Sequence, residues 1–224
     1  MCKFFSFVGD GYGNYLYADW NLRKTRLRAN WDSHTTILTH FKVPPKMQDR
    51  WSKYEYNPFT KEFTVDQGIE RHDHEAAENW VRHLNFKSVV EPLVIKKIRN
   101  PLTGKAKNVS EQEIALLDQW IKVWNSVEAS VWDSVWDSVG LPVWDSVRDS
   151  VWGSVRDSVW KSFIATVWAS VWAYSSSFFK IKYEHDFSSA VKLWNSGFVP
   201  SFDGETWRLH SGKNAEIVYE RRVK

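Results

Sequence analysis

Valine returns every fourth residue through the middle of the chain. It stands at Val127, Val131, Val135, Val139, Val143, Val147, Val151, Val155 and Val159, and Phe163, Val167 and Val171 continue the row. Between valines sits Trp-Asp-Ser or a close variant, as in Val131-Trp132-Asp133-Ser134. A flat strand cannot use this pattern. Residues two apart share a strand face, so burying the valines would bury Asp133 and Asp137 without bases opposite them, a heavy cost for each unpaired charge. A β-solenoid that turns a corner every four residues escapes the problem, because corners swing the aspartates outward. A helix also escapes it. At about 100° per residue, Val and Trp form an apolar sector, Asp faces away and Ser is a small flank. Four residues advance about 400°, so the apolar stripe creeps about 40° per repeat in the right-handed sense. Val, Trp, Ser and Asp are mediocre helix formers, and tertiary packing must then supply the stability.

The flanking sequence favours the helix. Ser110 and Glu113 have capping-box spacing, and Ile114, Leu117, Ile121 and Trp124 lead at helical spacing into Val127. Gly140-Leu141-Pro142 supplies a helix stop followed by a helix start. The pattern predicts an antiparallel helical hairpin with arms Glu111 to Val139 and Val143 to Tyr174. Small Ser at every fourth place lets the backbones approach. The Trp rings are then left on the flanks, against the rest of the protein or another copy.

Outside the repeat the patterning is mixed. Lys3 to Val8 and Tyr15 to Trp20 read as a β-hairpin around the turn-rich Gly9 to Asn14. The Gly9-x-Gly11-x-Gly13 string lacks both Rossmann spacing and a Walker lysine, so it reads as a turn. Leu22 to Arg28 reads as a basic strand or loop. Asp32-Ser33 can cap a short helix with Ile37 and Phe41 inward, and Pro44-Pro45 stops it. Lys53 to Tyr56 and Lys61 to Val65 form a second hairpin signal. His74 to Leu84 is a short helix, and Val89 to Ile98 is an apolar strand candidate broken by Pro92. After the repeat come a strand candidate at Phe178 to Tyr183 and a helix at Phe187 to Asn195 with Gly197 at its C-cap. Strands at Phe198 to Phe202, Trp207 to His210 and Glu216 to Tyr219 close the chain. The expected fold class is α+β, with an N-terminal α+β domain at 1–108, the repeat hairpin at 109–175 and a C-terminal α/β cap at 176–224 packing on the first domain. The alternative keeps the ends and makes the repeat a β-solenoid.

Composition changes this picture in two respects. Fifteen Trp in 224 residues is far above the usual share, and seven of them lie in the repeat: Trp132, Trp136, Trp144, Trp152, Trp160, Trp168 and Trp172. The net charge of +3 hides an asymmetry, since the repeat from Val127 to Tyr174 carries −3 and the flanks +6. A single Cys, Cys2, excludes an intrachain disulfide and suits a reducing compartment. No secretory leader and no membrane-length apolar run is evident. The expectation is a cytoplasmic protein without membrane association.

Several stretches resemble uncharacterised proteins from bacteriophages and gut metagenomes. They are Lys53-Tyr54-Glu55-Tyr56-Asn57-Pro58-Phe59-Thr60, the Ser-Val-x-x tetrapeptides, Ala173-Tyr174-Ser175-Ser176-Ser177-Phe178-Phe179, and the run from Leu193 to His210. The resemblance covers most of the chain. It implies a phage source and the cytoplasm of a bacterial host, and it carries no catalytic residues. Members differ in how many tetrapeptides they hold, which fits an element of adjustable length such as a spacer or an assembly surface.

The chemistry candidates are weak beside that surface. In Arg71-His72-Asp73-His74-Glu75 the two histidines point apart on a helix, and no third ligand follows at a recognisable spacing. Asp32-Ser33-His34 are adjacent, whereas a catalytic triad needs side chains converging from separate segments. Cys2 has no evident base partner. Arg208 and His210 share a strand face and, with Arg23 and Arg26, are candidates for anion binding. A basic surface from Arg23, Lys24, Arg26, Arg28, Lys96, Lys97, Arg99, Lys105 and Lys107, with Trp31 and Trp51 for stacking, would suit nucleic acid. Neither a metal nor a cofactor is expected. The leading expectation is a non-catalytic interaction protein whose Trp-rich repeat docks on a protein partner or on itself as a homo-oligomer, since Trp is enriched at binding hot spots. The alternatives are a ligand- or nucleotide-binding protein or enzyme with its site between the end domains, and nucleic-acid binding by the basic flanks.

Overall fold

A computed structural model describes residues 4–27, 29–138, 141–159 and 164–223, with backbone only at 129, 136, 137, 141, 142, 146, 159 and 164–166. The chain divides into two compact units. One holds Met1–Ile95 with Val135–Val147, the other Lys96–Ser134 with Arg148–Lys224. The class is mixed α/β with two small antiparallel sheets.

In the first unit the N-terminal hairpin forms from β1 (Phe5–Gly9) and β2 (Tyr15–Leu16), with Gly9 opposite Tyr15. Its turn needs glycine at position 11, where φ is +75° and a Cβ would sit 2.1 Å from the Arg71 carbonyl oxygen. A single helical turn, α1 (Trp20–Arg23), occupies part of the expected basic strand or loop. α2 (His34–His40) starts at Ser33, whose hydroxyl accepts from Thr36 N. Ile37 and Leu38 face inward, and Phe41, expected inward, is exposed because the helix ends just before it. The second hairpin is β3 (Ser52–Asn57) and β4 (Glu62–Gln67). The sheet order is β2-β1-β3-β4. Alternation gives it two different faces. Phe5, Phe7, Tyr54, Tyr56 and Phe63 make one aromatic face, onto which α3 (His74–Arg82) sets Trp80, 5.0 Å from the Phe7 ring centroid. Ser6, Val8 and Glu55 lie on the other face, where Val8 packs against Ile37 and Leu38 of α2. Val89–Ile98 is not a regular strand. Pro92 cannot donate to a ladder, and Val89, Val90 and Leu93 are buried from irregular backbone instead.

The second unit opens with α4 (Glu111–Ile121), where Ser110 N donates to the Glu113 carboxylate at 3.0 Å. The repeat then makes α5 (Val127–Ser138), α6 (Leu141–Val159) and α7 (Ile164–Ser176), with Val135–Val147 counted in the first unit. Every described residue within these bounds is helical, so the β-solenoid alternative is excluded for them. The arm expected to run unbroken from Val143 to Tyr174 is divided between α6 and α7. Arg148 lies over Trp172, and Trp152 stacks on Trp168. Numbers that rise along α6 meet numbers that fall along α7, so these two helices are antiparallel. The creep of the stripe accounts for short helices. From Val143 to Val155, four of the five valines of α6, the apolar sector drifts about 120°, close to the full width of a buried face. One straight rod of twice that length would carry its valines round to solvent.

α8 (Ser188–Ser196) ends at Gly197 in the left-handed conformation, φ +94°. β5 (Val199–Phe202), β6 (Thr206–Ser211) and β7 (Glu216–Arg222) form an antiparallel meander. Phe178–Tyr183, expected as a strand, is irregular. α7 packs on α8 and β5, and α4 packs on α8, which buries Trp120, Leu193 and Trp194. Phe202 and Trp207 stack across the sheet at 4.7 Å and meet Trp124.

Candidate functional site

The tetrapeptide sorts its four positions as a helix requires. All nine described repeat valines, in three helices, are buried. Each such side chain contributes about 1.5 kcal/mol or more of apolar burial, which offsets the poor helix propensity. Asp133, Asp149 and Asp157 are exposed. The serines sit between these extremes, and several satisfy their hydroxyls locally. Ser154 donates to the Val151 carbonyl at 2.7 Å and Ser126 to that of Val123 at 2.8 Å. Buried Ser170 instead reaches the Pro200 carbonyl and ties α7 to β5.

The tryptophans do not share one environment. Trp144 is fully buried, and Trp172 nearly so beneath Trp132 and Arg148. Trp132 and Trp168 keep 39% and 36% of their surface exposed, and Trp152 is half-buried. The side chain of Trp136 and the whole of Trp160 lie outside the described residues. Within the second unit the rings make two adjoining layers. Trp152 stacks on Trp168 at 4.6 Å, and one turn further along α7 Trp172 meets Trp132 at 6.4 Å. Trp168 and Trp172 are four residues apart and share a helix face. The result is an aromatic band carried by α5, α6 and α7, with the Arg148–Asp149 pair at its edge.

The residues expected to bind anions are otherwise engaged. Arg23 is buried and clasps Asp32 with two bonds of 2.9 and 2.5 Å, while its Nε donates to the Ala18 carbonyl. Asp32 therefore serves as an ion-pair partner rather than as a cap. Arg26 is exposed and belongs to the first unit. Arg208 lies between Asp203 and Glu220 and holds the Asp203 carboxyl well below the usual carboxylate range, helped by backbone donors. His210 is buried, with Nε2 2.7 Å from Ser201 Oγ and Nδ1 3.0 Å from the Ala215 carbonyl. Those distances suit a nucleophile and its base. Both side chains are only 3% exposed, however, and burial keeps the imidazole neutral by lowering its pKa, so the pair acts as a core hydrogen bond.

The basic segment before the repeat is used to finish helices. Lys96 Nζ donates to Ser177 O at 2.9 Å and Ser177 Oγ at 2.8 Å, and Lys107 Nζ donates to Ser196 O at 2.6 Å. Each ammonium sits where the carbonyls at the end of α7 or α8 lack partners. Burial lowers the Lys96 pKa. Lys96, Lys97 and Arg99 also line a cavity of about 710 Å³ with Tyr174 and Asn195, and no carboxylate is among the described residues that line it. A second cavity, about 650 Å³, lies beside Phe179, Ile181 and Phe187.

In the first unit, Asp73 is a structural hub. Its carboxylate accepts from the Tyr15 and Tyr54 hydroxyls at 3.0 and 2.9 Å and from Gly13 N. Burial and this carboxylate push the Tyr54 phenol up to about 12. His72 and His74 stack at 4.1 Å, and burial with the neighbouring His72 lowers the His74 pKa. Cys2 and Arg28 lie outside the described residues. Among the described residues no helix is long and apolar enough to cross a membrane.

Sequence reasoning found the repeat's tryptophans but not their division into buried and exposed, because near-identical repeats differ only in which helix faces them. It also missed the helix-ending role of Lys96 and Lys107, whose partners lie more than eighty residues away. Comparison with protein-family models, curated proteins and solved structures finds no match for this chain.

Proposed function

We propose that this is a non-catalytic assembly protein, encoded by a phage and working in the cytoplasm of its host, which uses the tryptophan band of its repeat to associate with further copies of itself. The observation that carries the reading is the exposure of Trp132 and Trp168 on helices whose valine rows are already buried. Inside one chain, α6 and α7 pair through stacked tryptophans of the same repeat. A second copy presents the same sequence and the same rings, so the chemistry that joins the helices within a chain also suits helices of two chains. Trp132 and Arg148 both meet Trp172, which supports a hairpin of α5 and α6. Adjustable repeat number would then set the length of the docking face. A different protein that offers aromatic or apolar side chains is the runner-up occupant. The test is capture of an untagged copy by a tagged copy, mixed after separate purification. Recovery of the untagged chain supports the reading, and its absence up to about 100 μM, with weaker contact below the range of specific association, contradicts it.

A second reading is a binder of small anions, favoured by the cavity at Lys97 and Arg99, with no carboxylate among its described lining residues. Calorimetric titration with inorganic phosphate and a nucleoside diphosphate tests it. The expected result is saturable binding weakened by Lys97→Ala and Arg99→Ala. Heats no larger than dilution count against it.

A further inference from the structure

Three side chains from separate segments converge where α2 covers the four-stranded sheet. His34 is the first residue of α2, Glu55 lies within β3 and Asp66 within β4. One donor atom from each lies within 4.8 Å of the other two. His34 and Glu55 are buried, whereas the Asp66 side chain is 48% exposed, so the cluster is open on one side.

The hydrogen bonding of His34 gives this cluster a direction. Its Nε2 lies 3.0 Å from the Tyr54 carbonyl oxygen. A carbonyl only accepts, so Nε2 carries the proton of this bond, and Nδ1 is the nitrogen turned to the cluster. Nδ1 points toward Asp66 Oδ2 at 3.8 Å, too far for a hydrogen bond. A ring that is nine-tenths buried therefore turns Nδ1 toward the Asp66 carboxylate, with Glu55 in the same cluster. A cation at the centre of the three donors is attracted by both carboxylates and takes Nδ1 as a ligand in place of a proton. A metal-bound histidine characteristically gives its other N–H to a backbone carbonyl or carboxylate, which fixes the ring and the tautomer. The Tyr54 carbonyl supplies that partner. The strand pairing adds an independent sign. Tyr54 pairs with Val65 and Lys53 with Gln67, which leaves Asp66 as the extra residue of a β-bulge. Bulges re-aim side chains beside functional sites.

We propose that His34 Nδ1, Glu55 and Asp66 bind one divalent transition-metal ion of the zinc class, with water completing the coordination on the open Asp66 side. One imidazole nitrogen with two carboxylates suits zinc and its neighbours, whereas magnesium and calcium favour all-oxygen sites. The site lies in the first unit and is independent of the tryptophan band.

The test uses the full chain after chelator treatment and dialysis. Zn²⁺ is titrated by calorimetry and Co²⁺ by its visible absorption. The expected result is one ion per chain, with affinity reduced about tenfold or more in both His34→Gln and Asp66→Asn. Circular dichroism confirms that each variant is folded, and the half-exposed Asp66 makes Asp66→Asn the safer of the two. The double variant His72→Gln/His74→Gln should bind as the wild type does, and Mg²⁺ should not compete. The proposal is overturned if the wild type takes up no Zn²⁺, if Asp66→Asn binds unchanged, or if uptake is lost with His72 and His74.

Discussion

At the scale of single residues, the most consequential polar contact is the buried pair of Arg23 and Asp32. Both side chains are almost wholly out of water, and Ser6 Oγ adds a bond to the Asp32 carbonyl. Replacing a buried ion pair with apolar groups can be neutral, but removing one partner strands the other charge. Arg23→Ala should therefore cost about 3–5 kcal/mol in chemical denaturation. Arg208→Ala, which breaks the partly exposed bridges to Asp203 and Glu220, should cost about 1 kcal/mol or less. Equal losses in the two variants would contradict this ranking. None of it was legible beforehand. Arg23 and Arg208 look alike in sequence, and only the fold shows that one faces a carboxylate inside the protein. The caps were different. Ser33 acts on Thr36, and Ser110 pairs with Glu113, three residues apart in each case, so the short-range pattern contained the whole interaction.

Among the elements, the repeat helices hold the clearest expectation. Val151 is fully buried in α6, whereas the Asp157 side chain is 94% exposed. Val151→Ala should destabilise by about 2 kcal/mol through lost burial and the cavity left behind. Asp157→Asn should change stability by no more than about 0.5 kcal/mol. Thermal melts of the two variants distinguish this arrangement from one in which the aspartates are buried. The helical character of the repeat was legible from the angular position of Val and Asp, and both hairpins from their turns. The division of the second arm was not read, since no Gly or Pro marks it in the way Gly140 and Pro142 mark the other connection. The 40° creep did contain the reason, because a stripe that winds cannot stay buried along a long straight rod. Val89–Ile98 and Phe178–Tyr183 misled for a related cause. Apolar runs mark burial as well as strands, and here Val89, Val90, Leu93, Phe178 and Phe179 are buried outside any regular strand.

On the scale of the whole molecule, the histidines set an expectation for pH. His210 and His74 both have folded-state pKa values lowered by burial, with His72 adding to the second. The unfolded chain then binds protons that the folded chain refuses, so stability is lost as pH falls below the ordinary histidine value of 6.5. The melting temperature should drop between about pH 7 and pH 5.5, and His210→Gln should flatten that drop. A melting temperature that rises over the same interval would reverse the assigned sign. Exposed acidic pairs such as Asp203–Arg208 act only at lower pH, because their carboxyl pKa is depressed. The larger property of the molecule is its aromatic band, in which buried valines hold the helices together while Trp132 and Trp168 keep the exposed surface on which the proposed self-association rests. Sedimentation equilibrium of the wild type beside the Trp132→Ser/Trp168→Ser variant tests this most directly. A concentration-dependent oligomer is expected for the wild type and a folded monomer for the variant, whereas a monomeric wild type, or an oligomer that survives both substitutions, would overturn the self-association proposal.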